Sequence, residues 1–167
     1  MANTNRHRRE PTAPVYKTPA SAVAIEIGDL IFQHPDDGAP KNAAAMVDQG
    51  TLALNQDAFQ QYFLGVAEQQ SRSGDTDPIR VATTGEFEFA CAAATFNTGD
   101  MVGACENADG DALEDQKVVA VTTESKAIAT VAKDYSSNTT KVLCRIRSTI
   151  MRDSVQAQVA GSSSGVI

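Results

Sequence analysis

The stretch Cys105–Gln116 (CENADGDALEDQ) places five acidic residues and a glycine in twelve positions, a composition similar to that of a calcium-binding loop. An EF-hand loop needs glycine at position six, oxygen ligands at positions one, three and five, and a bidentate glutamate at position twelve. When Gly110 is placed at position six, a cysteine and a glutamine occupy positions one and twelve. The flanking runs also alternate as strands do, so the stretch predicts a hairpin turn over Asn107–Asp111. A weak ion site near Asp109 is the alternative.

Side chains that could act in catalysis are sparse. The two histidines, His7 and His34, do not lie in a recognisable serine or cysteine nucleophile motif. The sequence HPDD offers one hydrolase hypothesis, in which His34, Asp36 and Asp37 form a site. A proline-containing loop is the simpler interpretation of the same residues. We therefore expect a protein that is not an enzyme and that carries no cofactor.

Two further groups of reactive side chains have structural interpretations. Glu86 and Glu88 alternate with phenylalanines in GEFEF, which predicts that both carboxylates lie on a solvated strand face. The three cysteines, Cys91, Cys105 and Cys144, are widely spaced and set among apolar residues. They are predicted to be reduced thiols packed in the core, rather than disulfides or metal ligands.

Charge divides the chain into a basic beginning and an acidic remainder. The 167 residues carry a formal charge of −7, yet the N-terminal arm, residues 1–21, holds four cationic residues against the single acid Glu10. The arm also contains three prolines and little apolar periodicity, so it is not expected to fold alone. Such an arm can bind an acidic surface or nucleic acid. The residues predicted to contact a partner are Arg6, Arg8, Arg9, Val15, Tyr16 and Lys17.

The remainder of the chain consists mostly of short apolar runs bounded by turn-forming residues. Val23–Ile27 predicts a strand, and a break at Gly28 separates it from a second strand at Leu30–Phe32. Asn55 is placed to cap a short helix, which leads into a strand over Leu64–Ala67. Six further strands are predicted in IRVATTG, GEFEFACA, GDMVGACEN, QKVVAVTT, KAIATVAKDY and TKVLCRIRST.

These elements predict an all-β fold: a compact β-barrel or β-sandwich with a short helix and an extended N-terminal arm. A parallel α/β architecture is disfavoured because the runs leave no room for crossover helices. The predicted organisation is the arm over residues 1–21, a β-rich domain over residues 22–153 and a flexible C-terminal tail over residues 154–167. No run is long and apolar enough for a membrane helix, and the first residues lack the apolar core of a signal peptide, so we expect no membrane partner.

A series of short motifs runs from Phe63 to Ile146. They are GVA at residues 65–67, GxFxF at 85–89, GD with a following valine at 99–102, IxxV at 128–131 and VxxRI at 142–146. In this order the motifs resemble those of the small capsid decoration, or cement, proteins of tailed bacteriophages.

The resemblance implies a structural virion protein that sits on the outer face of an icosahedral capsid and is assembled in the host cytoplasm. It implies the major capsid protein and neighbouring decoration subunits as partners, homotrimers at three-fold positions, and no catalytic residues. A trimer would sum weak single contacts into firm binding. The alternative hypothesis is a small nucleic-acid-binding barrel that uses the basic arm. The acidic body and the lack of a basic or aromatic strand face argue against it.

Overall fold

The computed structural model describes residues 13–20 and 22–151, so the predicted tail over residues 154–167 lies outside it. The fold is all-β, as the sequence predicts, and consists of an antiparallel sheet and a closed barrel with one α-helix that contacts both. The elements are β1 (Pro14–Lys17), β2 (Leu30–Gln33), β3 (Pro40–Asn42), α1 (Leu52–Tyr62), β4 (Phe63–Ala67), β5 (Ile79–Ala82), β6 (Thr84–Phe96), β7 (Met101–Glu106), β8 (Leu113–Val121), β9 (Ala129–Val131) and β10 (Tyr135–Arg147).

The sheet has the strand order β1-β5-β4-β2-β3, and all its neighbouring strands are antiparallel. Alternate residues of its strands enter two different clusters of buried side chains. Leu30 and Phe32 belong to the main core, which they share with the barrel. Ile31, Leu64 and Val81 belong to a smaller cluster on the opposite face. Burial on both faces explains why these strands are continuous apolar runs rather than polar-apolar alternations.

The barrel closes in the order β10-β6-β8-β7-β9. Its two longest strands, β6 and β10, pair antiparallel, and a single parallel pairing at Ala90–Lys117 joins β6 to β8. No crossover helix is needed for this parallel pairing, because β7 lies between the two strands in the chain and supplies the return. The interior is filled by alternate strand residues, which include Phe87, Phe89, Val102, Val118, Val142 and Cys144.

The helix α1 begins one turn earlier than a cap at Asn55 would allow. The Thr51 hydroxyl accepts the backbone N–H of Leu54 at 3.3 Å and caps the helix. The prediction that Asn55 is the cap is therefore wrong. Asn55 is 2% exposed, and its amide accepts the N–H of Gln49 and donates to the Glu106 carboxylate, each at 2.7 Å. Asn55 therefore links the helix to the barrel by a hydrogen bond and does not cap the helix.

Of the other local predictions, the first strand is formed only in part and the later strands are confirmed. The run Val23–Ile27 forms only an isolated bridge, between Ile25 and Ser71, and a turn with Gly28 at φ +97° then leads into β2. The strand predicted around Leu64–Ala67 is confirmed as β4, and each of the six later runs contains a strand. Within the described residues, no helix has the length and apolar character needed to cross a membrane.

Candidate partner-binding edge

The sheet contains residues that the sequence assigned to the arm. β1 pairs antiparallel with β5 along its whole length, so Val15, Tyr16 and Lys17 belong to a strand of this chain's own sheet. The predicted boundary between the arm and the β-rich domain, at residue 21, would therefore separate β1 from its partner strand β5. The arm residues Arg6, Arg8 and Arg9 lie outside the described residues.

β1 is an edge strand. β5 lies on one side of it, and no strand of residues 13–20 or 22–151 lies on the other. Val15 is half-buried and packs against the smaller core cluster, whereas the Tyr16 side chain is 65% exposed. Val15 therefore anchors the strand while Tyr16 faces solvent. The outer backbone groups of such an edge can pair with an added strand, and an exposed tyrosine adds apolar area and a hydroxyl to the contact.

Both ends of the described chain are tied to Thr83, a fully buried residue between β5 and β6. The Thr83 backbone N–H donates to the Ala13 carbonyl at 3.1 Å, and its hydroxyl donates to the same carbonyl. The Thr83 carbonyl accepts the N–H of Ser148 at 2.9 Å, and Met151 donates its N–H to the Ser148 carbonyl at 3.1 Å. Ala13 and Met151 therefore lie at the same end of the molecule.

Two carboxylates at the seam between sheet and barrel were not identified by the sequence analysis. Asp29, which precedes β2, is 3% exposed and accepts the Gln116 side-chain N–H at 2.8 Å. Asp115 in β8 accepts the backbone N–H of Ala44 at 2.7 Å and the Asn42 amide at 3.1 Å. These bonds connect residues more than seventy positions apart, and no local pattern could have predicted them.

Burial is the main influence on the protonation of Asp29 and Asp115. It raises the pKa of Asp29 and raises the pKa of Asp115 to about 6. The hydrogen bond from Ala44 works in the opposite direction, while the nearby charges of Asp29 and Glu26 raise the pKa of Asp115 further. Within residues 13–20 and 22–151, none of these three carboxylates forms an ion pair with a lysine or arginine. No lysine or arginine among the described residues therefore offsets the burial of these carboxylates.

The protein is therefore expected to be more stable near pH 5 than at pH 7. A carboxyl whose pKa is raised on folding binds its proton more tightly in the folded state, so stability falls as the pH rises from about 4 to about 6. Discounted for partial exposure, we expect a change of about 1 kcal/mol, or roughly 3 °C in Tm. Thermal unfolding of Asp115→Asn should show a flatter profile across this window. Asp109→Asn, an equal charge change in an exposed loop, should keep the slope, and an unaltered slope in the Asp115 variant would contradict the assignment.

The acidic stretch Cys105–Gln116 forms a hairpin, as predicted. The Asn107 side-chain oxygen accepts the backbone N–H of Gly110 at 2.9 Å and of Asp111 at 3.3 Å, and Gly110 has φ +72°. Asn107 also donates to the Asp111 carboxylate at 2.8 Å. Across the part of the chain that the structure describes, no group of three or more His, Cys, Asp or Glu side chains is arranged to hold a metal ion.

The residues of the hydrolase hypothesis come together in the β2–β3 loop. His34 Nδ1 accepts the backbone N–H of Asp36 at 3.4 Å and lies 3.5 Å from the Asp37 carboxylate. Asp37 also lies 3.6 Å from the Lys41 ammonium and accepts the N–H of Ala39 at 2.9 Å, which is the main reason its pKa is lowered. These contacts hold the loop in shape, so the arrangement has a structural explanation.

The prediction of a solvated strand face is wrong for Glu86. This residue is 5% exposed, and one carboxylate oxygen accepts the Arg145 guanidinium at 2.7 Å. Arg145 is its direct cross-strand neighbour in β10. Glu88 is half-buried and lies 3.9 Å from the Lys141 ammonium. The period-two pattern correctly predicts that both glutamates point away from the barrel interior. It does not show which residues cover the outer face of the strand.

The three cysteines are free, as predicted. Cys91 and Cys144 are buried in the main core, and Cys105 is half-buried. Burial raises the pKa of all three thiols. A thiol held protonated in an apolar setting is a weak nucleophile, so these side chains pack rather than react.

Comparison with known protein families finds none that matches this chain, and comparison with curated proteins finds no match. The function is therefore argued from the geometry of the chain itself. Of the sites described above, the β1 edge is the one that combines an exposed large side chain, open backbone groups and continuity with a cationic segment. This arrangement is suited to binding a macromolecular surface.

Proposed function

We propose that the chain is a structural virion protein that binds the outer face of a phage capsid and stabilises it by bridging major capsid protein subunits. The observation that carries the proposal is the β1 edge, an exposed strand that continues directly into the segment bearing Arg6, Arg8 and Arg9. A strand from a capsid subunit can add to this edge through main-chain hydrogen bonds. The arginines then pair with acidic groups on the shell, because a guanidinium group can donate two parallel hydrogen bonds to one carboxylate.

The acidic body and the basic arm have different tasks in this proposal. The chain as a whole is negative, while the positive arm directs each copy to an acidic surface. Binding as a trimer makes the second and third contacts intramolecular, so each single contact can be weak. The motif order from Phe63 to Ile146 that resembles decoration proteins supports the same role.

The first test is removal of residues 1–12 with β1 retained. Because β1 belongs to the sheet, a deletion that continues to Ala20 would strip β5 of its partner and confuse lost binding with lost stability. We expect the shorter deletion to leave the Tm within about 2 °C and to lower binding to capsids at least about tenfold, since several charge pairs are lost. Binding is measured by co-sedimentation with heads of the phage that encodes the chain, purified without it.

A charge-matched pair of variants separates the arginines from the overall charge. Arg6→Gln/Arg8→Gln/Arg9→Gln is compared with a variant that loses three exposed body cations, at Arg72, Lys133 and Lys141. The arm variant should lose most of its binding and the body variant should keep it. Equal binding by the full chain and both variants would exclude the arm from the interface. Light scattering of the purified chain tests the trimer independently.

A further inference from the structure

A short segment of the chain, residues 40–46, connects the sheet to the barrel. It contains β3, which lies at the edge of the sheet and pairs with β2, and the single 3₁₀ turn Ala43–Ala45. Ala43 is fully buried in the main core and Met46 packs against it, whereas residues 47–51 are exposed. We call residues 40–46 the latch. A short edge segment that is followed by exposed chain belongs to the part of a fold that opens most readily.

The Asp115 carboxylate attaches the latch to strand β8 of the barrel. One of its oxygens accepts the backbone N–H of Ala44 at 2.7 Å, and the other accepts the side-chain amide of Asn42 at 3.1 Å. A single titratable side chain thus holds two residues of the latch.

The charged groups that act on Asp115 from the sheet side are both negative. Asp29 and Glu26 lie in the segment before β2, and each repels an ionised Asp115. Asp29 is 3% exposed, and one oxygen of the Glu26 carboxylate is buried without a hydrogen-bond partner among the described residues. Little solvent therefore reaches these two groups to screen the repulsion.

The lysines that lie close in sequence are engaged elsewhere. Lys117, on the same strand as Asp115, donates to the Glu114 carboxylate at 2.7 Å. Lys41, within the latch, lies 3.6 Å from the Asp37 carboxylate. Neither lysine compensates for the charge of Asp115.

We propose that Asp115 makes the latch pH-sensitive, so that the latch is held against the barrel at acidic pH and opens more often at neutral pH while the rest of the fold stays closed. In the closed latch, an ionised Asp115 is partly buried beside Asp29 and Glu26, whereas in the open latch it is surrounded by water. The ionised form therefore favours the open latch. This device belongs to the isolated chain and does not depend on capsid binding.

The pKa of Asp115 gives the direction and the pH range. Burial raises this pKa to about 6 in the closed latch, against an ordinary value of 3.8. The closed latch binds the proton more tightly, so it is favoured fully below about pH 4 and loses this advantage as the pH rises to about 6. Burial raises the pKa of Asp29 as well, which acts in the same direction. Discounted for partial exposure, we expect the latch to open about fivefold more often at pH 7 than at pH 4.5.

Amide hydrogen exchange measured by NMR tests the proposal, because opening of the latch frees the Ala44 N–H. With rates corrected for the intrinsic pH dependence of exchange, protection of Ala44 should fall about fivefold between pH 4.5 and pH 7. The matched control is the Ala39 N–H, which also donates to a carboxylate, that of Asp37 at 2.9 Å. The pKa of Asp37 is lowered, mainly by this hydrogen bond, so protection of Ala39 should stay constant.

Low concentrations of urea distinguish opening of the latch from unfolding of the whole chain. Opening of the latch exposes little surface, so exchange at Ala44 should be insensitive to urea, whereas exchange at the buried barrel residue Phe89 should accelerate. If Ala44 is as well protected as Phe89 and responds equally to urea, the latch does not open by itself and the proposal is wrong.

Two variants assign the pH dependence to one carboxyl. Asp115→Asn keeps an oxygen for the Ala44 N–H but removes the charge, so Ala44 should be equally protected at both pH values. Glu114→Gln, an equal charge change at the next position on β8, should keep the fivefold difference. An effect arising from the contact between His34 and Asp37, 3.5 Å apart in the loop before β3, would persist in Asp115→Asn. A pH difference that persists in this variant, or none in the unaltered chain, would overturn the proposal.

Discussion

Replacing Gly65 with alanine is expected to abolish the native fold. Gly65 lies in β4 at φ +149°, and an added Cβ would lie 1.9 Å from the Ala82 carbonyl oxygen and 2.8 Å from its carbonyl carbon. These are backbone atoms of the paired strand β5, so relief of the collision requires the two strands to separate. We expect a cost above about 4 kcal/mol, a large part of the 5–15 kcal/mol that holds a domain together.

The matched control is Gly74→Ala. Gly74 also has a positive φ, +96°, but nothing lies within 4 Å of the Cβ that would be added. It therefore carries the backbone strain without the collision, at a cost of about 1 kcal/mol. Near-ultraviolet circular dichroism and urea unfolding should show a folded Gly74 variant and an unfolded or insoluble Gly65 variant. Similar unfolding midpoints for the two would refute the steric argument.

Replacing Phe59 with alanine is expected to have the next largest effect. Phe59 is fully buried in α1, and its ring centre lies 5.9 Å from that of Phe32 in β2 and 5.8 Å from that of Phe63 in β4. The ring thus joins the helix to the sheet. Truncation removes its apolar contacts and leaves a cavity, for which we expect a loss of about 3–5 kcal/mol and a Tm lower by roughly 10 °C.

Leu54→Ala in the same helix is the control for this prediction. Leu54 is 52% exposed, so the helix keeps its propensity while no core contact is lost. Its stability should change by less than about 0.5 kcal/mol. Calorimetry of both variants would separate the contribution of the aromatic cluster from that of the helix. A loss below about 1 kcal/mol in the Phe59 variant would mean that the cluster does not connect helix and sheet.

The all-β class could be predicted from the sequence because period-two alternation and turn residues are local signals. The hairpin around Gly110 and the strands β4 to β10 follow from such signals. Gly65 shows the limit of this approach. Its motif could be recognised in the sequence, but the reason that glycine is needed there is the carbonyl of Ala82, which belongs to another strand.

The predictions that failed are those in which a distant partner decides the role of a residue. Asn55 has the chemistry of a helix cap, yet Glu106 of the barrel holds it inside the helix. Glu86 alternates as a solvated residue does, yet Arg145 and the surrounding chain bury it. Composition marks the arm as unable to fold alone, and this expectation agrees with the pairing of its strand β1 to β5. Local propensity is overridden at Asn55 and Glu86 by tertiary contacts.

The position of Thr83 has a mechanical consequence. Ala13 accepts the N–H of this buried residue and Ser148 donates to its carbonyl, so the first described residue and the segment after β10 share one attachment point between β5 and β6. Ser148 directly follows β10, so tension at the C-terminal end acts on this barrel strand as well as on the junction at Thr83. A pull between the two ends is thereby shared between the sheet, through β1 and β5, and the barrel, through β10 and β6.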